Sequence, residues 1–175
     1  MLPYGNEIYP ERSDHMNFQI ISAYDHTEDI KNLFKEYTDM LIEGDPVFAR
    51  YLDMQNYDDE LKDLSAKYGE PHGRLYLALC DGKAAGCIAL KRNDDKSCEL
   101  KRLYVRPEFR GKKLGKILAQ RIIKEAKKAG YQSIYLDTLP FLTSAIKLYK
   151  ELGFIETKKY NDSPMENSIY MIKEI

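Results

Sequence analysis

Six consecutive residues, Arg110-Gly111-Lys112-Lys113-Leu114-Gly115, set two glycines and three cations just ahead of an apolar stripe of helical period. Gly111 and Gly115 let the backbone come close to a ligand. The start of a helix offers free N–H donors and the positive end of the helix dipole. Arg110, Lys112, Lys113 and Lys116 add countercharge, so the loop suits a phosphate or pyrophosphate. The spacing satisfies neither Gly-x-x-x-x-Gly-Lys-[Ser/Thr] nor Gly-x-Gly-x-x-Gly, which argues against nucleoside triphosphates and dinucleotides. Taken alone, the loop reads equally well as a helix start that merely contains glycine. Elsewhere the chemistry is sparse. His26, His72 and the three cysteines form no readable triad, and no Cys-x-x-Cys or His-rich spacing suggests a zinc site.

The loop needs a strand before it and a helix after it, and the pattern supplies both. Residues 98–105 read as a strand, which Pro107 stops. Leu114, Ile117, Leu118, Ile122, Ala126 and Ala129 then mark the buried stripe of a long helix, with Gly130 as its stop. Upstream, 74–80 and 84–90 are apolar runs joined by Asp81-Gly82-Lys83, a hairpin signal. Together with 98–105 they form a meander. Residues 18–23 read as a first strand. Thr27 is placed to cap a helix carrying Ile30, Leu33, Phe34, Tyr37 and Leu41, and Gly44-Asp45-Pro46 breaks it. A second helix is expected over 58–68. Downstream come a strand at 133–138, a short helix at 144–152, and strands at 154–156 and 169–172. The expected architecture is an α/β (α+β) fold with one mixed, mostly antiparallel sheet flanked by helices. Residues 1–15 read as a loose arm, and 16–175 as a single domain.

Composition bounds the possibilities. The chain has 175 residues, 43% hydrophobic and 31% charged, an ordinary globular mixture. No apolar run approaches 18 residues, so no membrane span is expected. The N-terminus lacks the apolar core of a secretory signal, which points to the cytoplasm and to reduced Cys80, Cys87 and Cys98. The net charge of −1 conceals asymmetry. Residues 1–63 carry 15 acidic and 5 basic side chains, whereas residues 101–128 carry 11 basic and 2 acidic. Two differently charged surfaces follow, and the basic one coincides with the loop.

The run from Glu99 through Leu103-Tyr104-Val105-Arg106-Pro107-Glu108-Phe109 to Arg110-Gly111-Lys112-Lys113-Leu114-Gly115 resembles the acetyl-CoA motif of the GNAT superfamily of N-acetyltransferases, [Arg/Gln]-x-x-Gly-x-[Gly/Ala]. Arg110 and Gly115 fit, while Lys113 stands at the first glycine. Ala145-Ile146-Lys147-Leu148-Tyr149-Lys150-Glu151-Leu152-Gly153-Phe154 resembles the second signature, Ala-x-x-Leu-Tyr-x-x-x-Gly-Phe. Leu142 replaces the asparagine that many members place three residues before that alanine. The resemblance implies acetyl-CoA as cosubstrate and no metal. It implies pantetheine beside Leu103, Tyr104 and Val105, and pyrophosphate on the N–H groups of Gly111, Lys112, Lys113, Leu114, Gly115 and Lys116. An N–H near Leu103 or Tyr104 would hold the oxyanion.

The same resemblance gives two candidates for proton transfer. An amine of lysine-like pKa must lose a proton before it attacks. Glu99 matches the family's glutamate base, though it could equally pair with Lys101 or solvent. Tyr149 matches the acid that protonates the leaving thiolate, against a plain core tyrosine. The expected activity is acetyl transfer to an amine by direct attack in a ternary complex. The expected partners are a small-molecule or protein amine and, at most, a second copy in a homodimer, with no nucleic acid and no membrane. Tyr37, Asp39, Glu43, Asp45, Tyr51, Asp53, Asp58 and Tyr160 would form an acidic, aromatic rim favouring a cationic amine. Two alternatives stay open: a non-catalytic acyl-CoA sensor, and a nucleic-acid-binding module using the basic helix.

Overall fold

The central strands are apolar along both faces because helices cover both. In the computed structural model, which describes residues 7–9 and 17–175, β3 (Arg74–Cys80) and β4 (Lys83–Arg92) are buried almost throughout. Alternate residues of β3 serve different cores. Leu75 and Leu77 pack with Ile30, Leu33, Phe34, Leu64 and Tyr68. Tyr76 and Ala78 pack with Leu114, Leu118 and Ile122 on the other side.

The sheet has eight strands in the order β1-β2-β3-β4-β5-β6-β8-β7. They are β1 (Glu7–Tyr9), β2 (Phe18–Ser22), β3, β4, β5 (Ser97–Val105), β6 (Ser133–Thr138), β7 (Ile155–Glu156) and β8 (Ile169–Glu174). Every pairing is antiparallel except β5 with β6. The expected mixed, mostly antiparallel sheet flanked by helices is therefore the observed fold. Within the arm read as loose, residues 7–9 pair with β2 as an edge strand. The rest of that arm, residues 1–6 and 10–15, lies outside the described residues.

The helical region between β2 and β3 departs most from expectation. Helix α1 (Thr27–Gly44) starts at Thr27 itself, so Thr27 is not its cap; His26 precedes it and contributes no capping hydrogen bond. Glu28 and Asp29 favour that end through the helix dipole. The single helix expected over 58–68 is two, α3 (Tyr57–Lys62) and α4 (Leu64–Tyr68). The break is at Asp63, whose carboxylate accepts from the N–H groups of Ser65 and Ala66 and so starts a new helix. A further helix, α2 (Phe48–Met54), follows Pro46. Downstream, a single 3₁₀ turn at Pro107–Phe109 leads to α5 (Leu114–Lys128), and α6 (Thr143–Glu151) follows β6.

Candidate active site

Strand β5 carries one residue too many for its neighbour, and the site begins there. Cys87 opposes Tyr104 and Ala89 opposes Lys101, so three steps on β5 match two on β4. The surplus is a bulge. At it, Arg102 adopts φ 59°, left-handed backbone that a non-glycine residue rarely takes. Gly86 permits the close approach opposite: a Cβ there would lie 2.6 Å from the Tyr104 carbonyl oxygen.

The bulge sends Lys101 and Arg102 to the same face. Each donates to Gln55 Oε1 at 3.1 Å. Arg102 also donates to both oxygens of Glu60 at 2.9 Å and lies over the rings of Phe34 and Tyr57. Tyr68 and Lys67 donate to Glu60 as well. Burial alone would push the Glu60 carboxyl up, but the charges and hydrogen bonds of Arg102 and Lys67 override it and hold the group at about 2.

Just before the bulge, beyond Glu99, the sheet opens. β5 and β6 pair only at Ser97↔Ser133, Cys98↔Ile134 and Glu99↔Tyr135. Both strands continue, but apart, and the gap widens into a cleft. Tyr37, Tyr51, Lys101, Arg102, Asp137 and Tyr149 line it. Leu103 lines it too, on the stretch of β5 that β6 leaves unpaired.

The basic loop follows directly from the end of β5. Arg110 folds back so that its Nε donates to the Val105 carbonyl at 2.9 Å, and its guanidinium sits over the Tyr104 ring. Gly111 has φ 77° and Lys113 φ 59°. Lys113 thus holds, at a cost, the left-handed conformation that glycine adopts freely. The first backbone bond of α5 runs from the Ile117 N–H to the Lys113 carbonyl. The side chain of Lys113 does not cap this end, and no acid occupies its first turn. The N–H groups of Leu114, Gly115 and Lys116 therefore have no partner within the helix. The Leu114 side chain is buried in the core, leaving its backbone to the loop. Gly115 has ordinary helical backbone, and a Cβ there would only touch Leu148 and Val105.

The two candidates for proton transfer have different surroundings. Tyr149 lines the cleft, packs edge-on against Phe154, and its hydroxyl makes no hydrogen bond among the described residues. Burial, with the nearby Tyr37 and Asp137, pushes its pKa far up, so the O–H stays a donor. Glu99 is buried where the strands part. Its carboxylate lies 3.4 Å from Lys101 Nζ and 3.7 Å from Lys91 Nζ, and accepts from the Tyr160 hydroxyl at 3.2 Å. It does not line the cleft.

Of the expected rim, Tyr37 and Tyr51 line the cleft, while Asp39, Glu43, Asp45, Asp53 and Asp58 do not. Asp39 pairs with Lys35 on the surface of α1. The carboxylate that does line it, Asp137, was not expected, nor were Gln55, Glu60 and Arg102. One signal was available for one of them: Asp137 is the single charge in strand β6.

The chain belongs to the GNAT acetyltransferase family, whose model matches residues 28–154. It is 43% identical over 150 residues to an uncharacterized N-acetyltransferase of Schizosaccharomyces pombe, covering 85% of this chain and 88% of that one. It is 34% identical to the N-acetylaspartate synthetase of Danio rerio, over 73% of this chain and 48% of that one. It is also similar to the crystal structure of a GNAT family acetyltransferase from Elizabethkingia anophelis with acetyl-CoA bound, at 26% identity and a TM-score of 0.52, over 59% of this chain and 77% of that one. The protein is an acetyl-CoA-dependent N-acetyltransferase, carrying an acetyl group from the CoA thioester to an amine. Among the described residues there is no cluster that could hold a metal ion, and no helix long and apolar enough to cross a membrane.

Proposed function

We propose that acetyl transfer occurs by direct attack, with acetyl-CoA and a small, carboxylate-bearing amine bound together between β5 and β6. The parting of those strands beside the start of α5 carries this reading. Pantetheine lies along the unpaired stretch of β5 at Leu103, Tyr104 and Val105, taking backbone hydrogen bonds as an added strand would. The N–H groups of Gly111 to Lys116, with Arg110, Lys112, Lys113 and Lys116 around them, receive the pyrophosphate. An N–H at Leu103 or Tyr104 stabilises the oxyanion, and Tyr149 returns a proton to the thiolate. Glu99, wrapped by Lys91, Lys101 and Tyr160, fits the positioning of Lys101 better than a freely accepting base.

Two observations support a carboxylate on the acceptor. Around the cleft four cations, Lys67, Arg102, Lys91 and Lys101, face the three carboxylates of Glu60, Glu99 and Asp137. The surplus is positive, against the cationic acceptor that the rim had suggested. The relationship to N-acetylaspartate synthetase points the same way. We place the activity in the reducing cytoplasm, where the buried thiols of Cys80, Cys87 and Cys98 would stay free. The test is a thiol-release assay with acetyl-CoA and a panel of L-aspartate, glycine, putrescine and a lysine peptide. Acceptor-dependent release, fastest with L-aspartate, is the expected result. Tight acetyl-CoA binding with no release on any amine overturns the reading in favour of a non-catalytic sensor.

A further inference from the structure

Asp137 stands near the end of β6, where that strand has left β5. Its side chain lines the cleft. Two donors from distant segments converge on one of its oxygens. Tyr51 of α2 donates to Oδ2 at 2.6 Å, and Asn161 Nδ2, from the segment between β7 and β8, donates to it at 3.2 Å. Asn161 also donates to the Tyr51 hydroxyl at 3.0 Å, closing a triangle. Oδ1 makes no hydrogen bond among the described residues. Burial and the neighbouring Asp137 charge raise the Tyr51 pKa, so its hydroxyl remains protonated and remains a donor.

A carboxylate that lines a cleft and is fixed through one oxygen, with no hydrogen bond to the other among the described residues, is suited to receive an N–H. Glu99 differs, since two lysines and a tyrosine already surround it. Tyr149, the candidate acid, lines the same cleft and lies near enough to feel the Asp137 charge.

We infer that Asp137 is the amine-binding residue of the acceptor site and takes the first proton from the acceptor's ammonium group. This rests on the acetyl transfer proposed above. The protons balance. An R–NH₃⁺ acceptor gives one proton to Asp137 Oδ1, which passes it to solvent. The nitrogen forms the C–N bond as the C–S bond breaks. The second proton of the nitrogen reaches the CoA sulfur by way of Tyr149, leaving the amide with one hydrogen. Tyr51 and Asn161 are positioning residues, aiming Oδ1.

The experiment compares Asp137→Asn with wild type in steady-state assays, using L-aspartate as acceptor. Asparagine keeps the size and one accepting oxygen for Tyr51 and Asn161 but no negative charge. The acceptor KM should rise and kcat should fall, by a combined factor on the order of 10² to 10⁴. The loss should shrink as pH rises and free amine becomes abundant. Acetyl-CoA affinity by calorimetry and the thermal midpoint should match wild type, which reports folding independently of turnover. Tyr51→Phe should raise the acceptor KM by a smaller factor. Wild-type turnover with an unchanged Asp137→Asn overturns this inference alone. So does an Asp137→Asn loss that is equal at every pH and accompanied by weaker acetyl-CoA binding. A wild type without turnover on any amine overturns both this inference and the function it rests on.

Discussion

Glu60 and Asp137 are two carboxylates brought to the middle of the sheet from different directions, and they are satisfied to different degrees. Glu60 has both oxygens engaged, by Arg102, Tyr68 and Lys67. Asp137 lines the cleft with one oxygen engaged and the other without a hydrogen bond among the described residues. The first arrangement can only hold; the second can also bind. A saturated network fixes the bulge at Arg102, because a buried guanidinium without its carboxylate is strongly disfavoured. The half-saturated one costs rigidity but leaves an acceptor in reach of a ligand. Charge alone would not separate them, whereas burial and the count of donors per oxygen do.

The largest expected effect tests the holding side. Glu60→Ala leaves Arg102 buried and unpaired, and should cost about 3–5 kcal/mol in denaturant unfolding. Asp137→Ala should cost far less, and equal losses would erase the distinction. The same contrast appears in acid. The Glu60 pKa in the folded protein lies below its ordinary value, so its contribution is fully present above about pH 4.5 and is lost as pH falls toward 2. Glu60→Gln should flatten that part of the stability profile.

The open side should lose activity rather than stability. Tyr149→Phe keeps the packing against Phe154 and removes a hydroxyl that holds nothing in place. Its kcat should fall by a factor on the order of 10 to 10³, with acetyl-CoA affinity and thermal midpoint unchanged. An unchanged kcat, with chemistry shown to be rate-limiting, would assign the ring to the core alone. Gly115→Glu comes next. A Cβ there meets only ordinary contacts, so the variant should fold. The added charge at the start of α5 should weaken acetyl-CoA binding by at least about tenfold, roughly 1.4 kcal/mol, in a calorimetric titration. Equal affinity would detach the loop from the cofactor.

The smallest effect concerns strain. Lys113→Gly removes a left-handed lysine costing about 1 kcal/mol, but makes the unfolded chain freer by a comparable amount. Stability should shift by less than about 1 kcal/mol, and acetyl-CoA affinity should fall only modestly, since three of the four cations around the pyrophosphate remain.

Local signals carried the sequence reading as far as local physics reaches. The strand at 133–138 was read with its observed bounds, and the strand, loop and helix around Arg110 to Gly115 fell where the pattern put them. The motif's odd lysine is now intelligible, since position 113 needs a positive φ and Lys113 supplies it. Helix α2 escaped because seven residues give no clear period, and the split at Asp63 escaped because an aspartate in a helical pattern looks like solvated surface. The two carboxylate networks were out of reach for another reason. Glu60 meets Arg102 across 42 positions, and Tyr51 meets Asp137 across 86. No spacing rule spans such distances. The acids read as a rim showed the same limit: their number was legible, but which way each faced was not.

The placement of unpaired backbone in this sheet has a consequence for self-association. At its rims, among the described residues, lie strands of three and two residues, β1 and β7. Rims so short offer little template for another chain to extend the sheet. The longer row of unpaired peptide groups is at its centre, along β5 beyond Glu99 and β6 beyond Tyr135. A sheet usually exposes its stickiest backbone at its margins and must defend it there. This one has moved that stickiness inward, between two strands and under helices, where a slender, flexible guest has access and a folded neighbour does not.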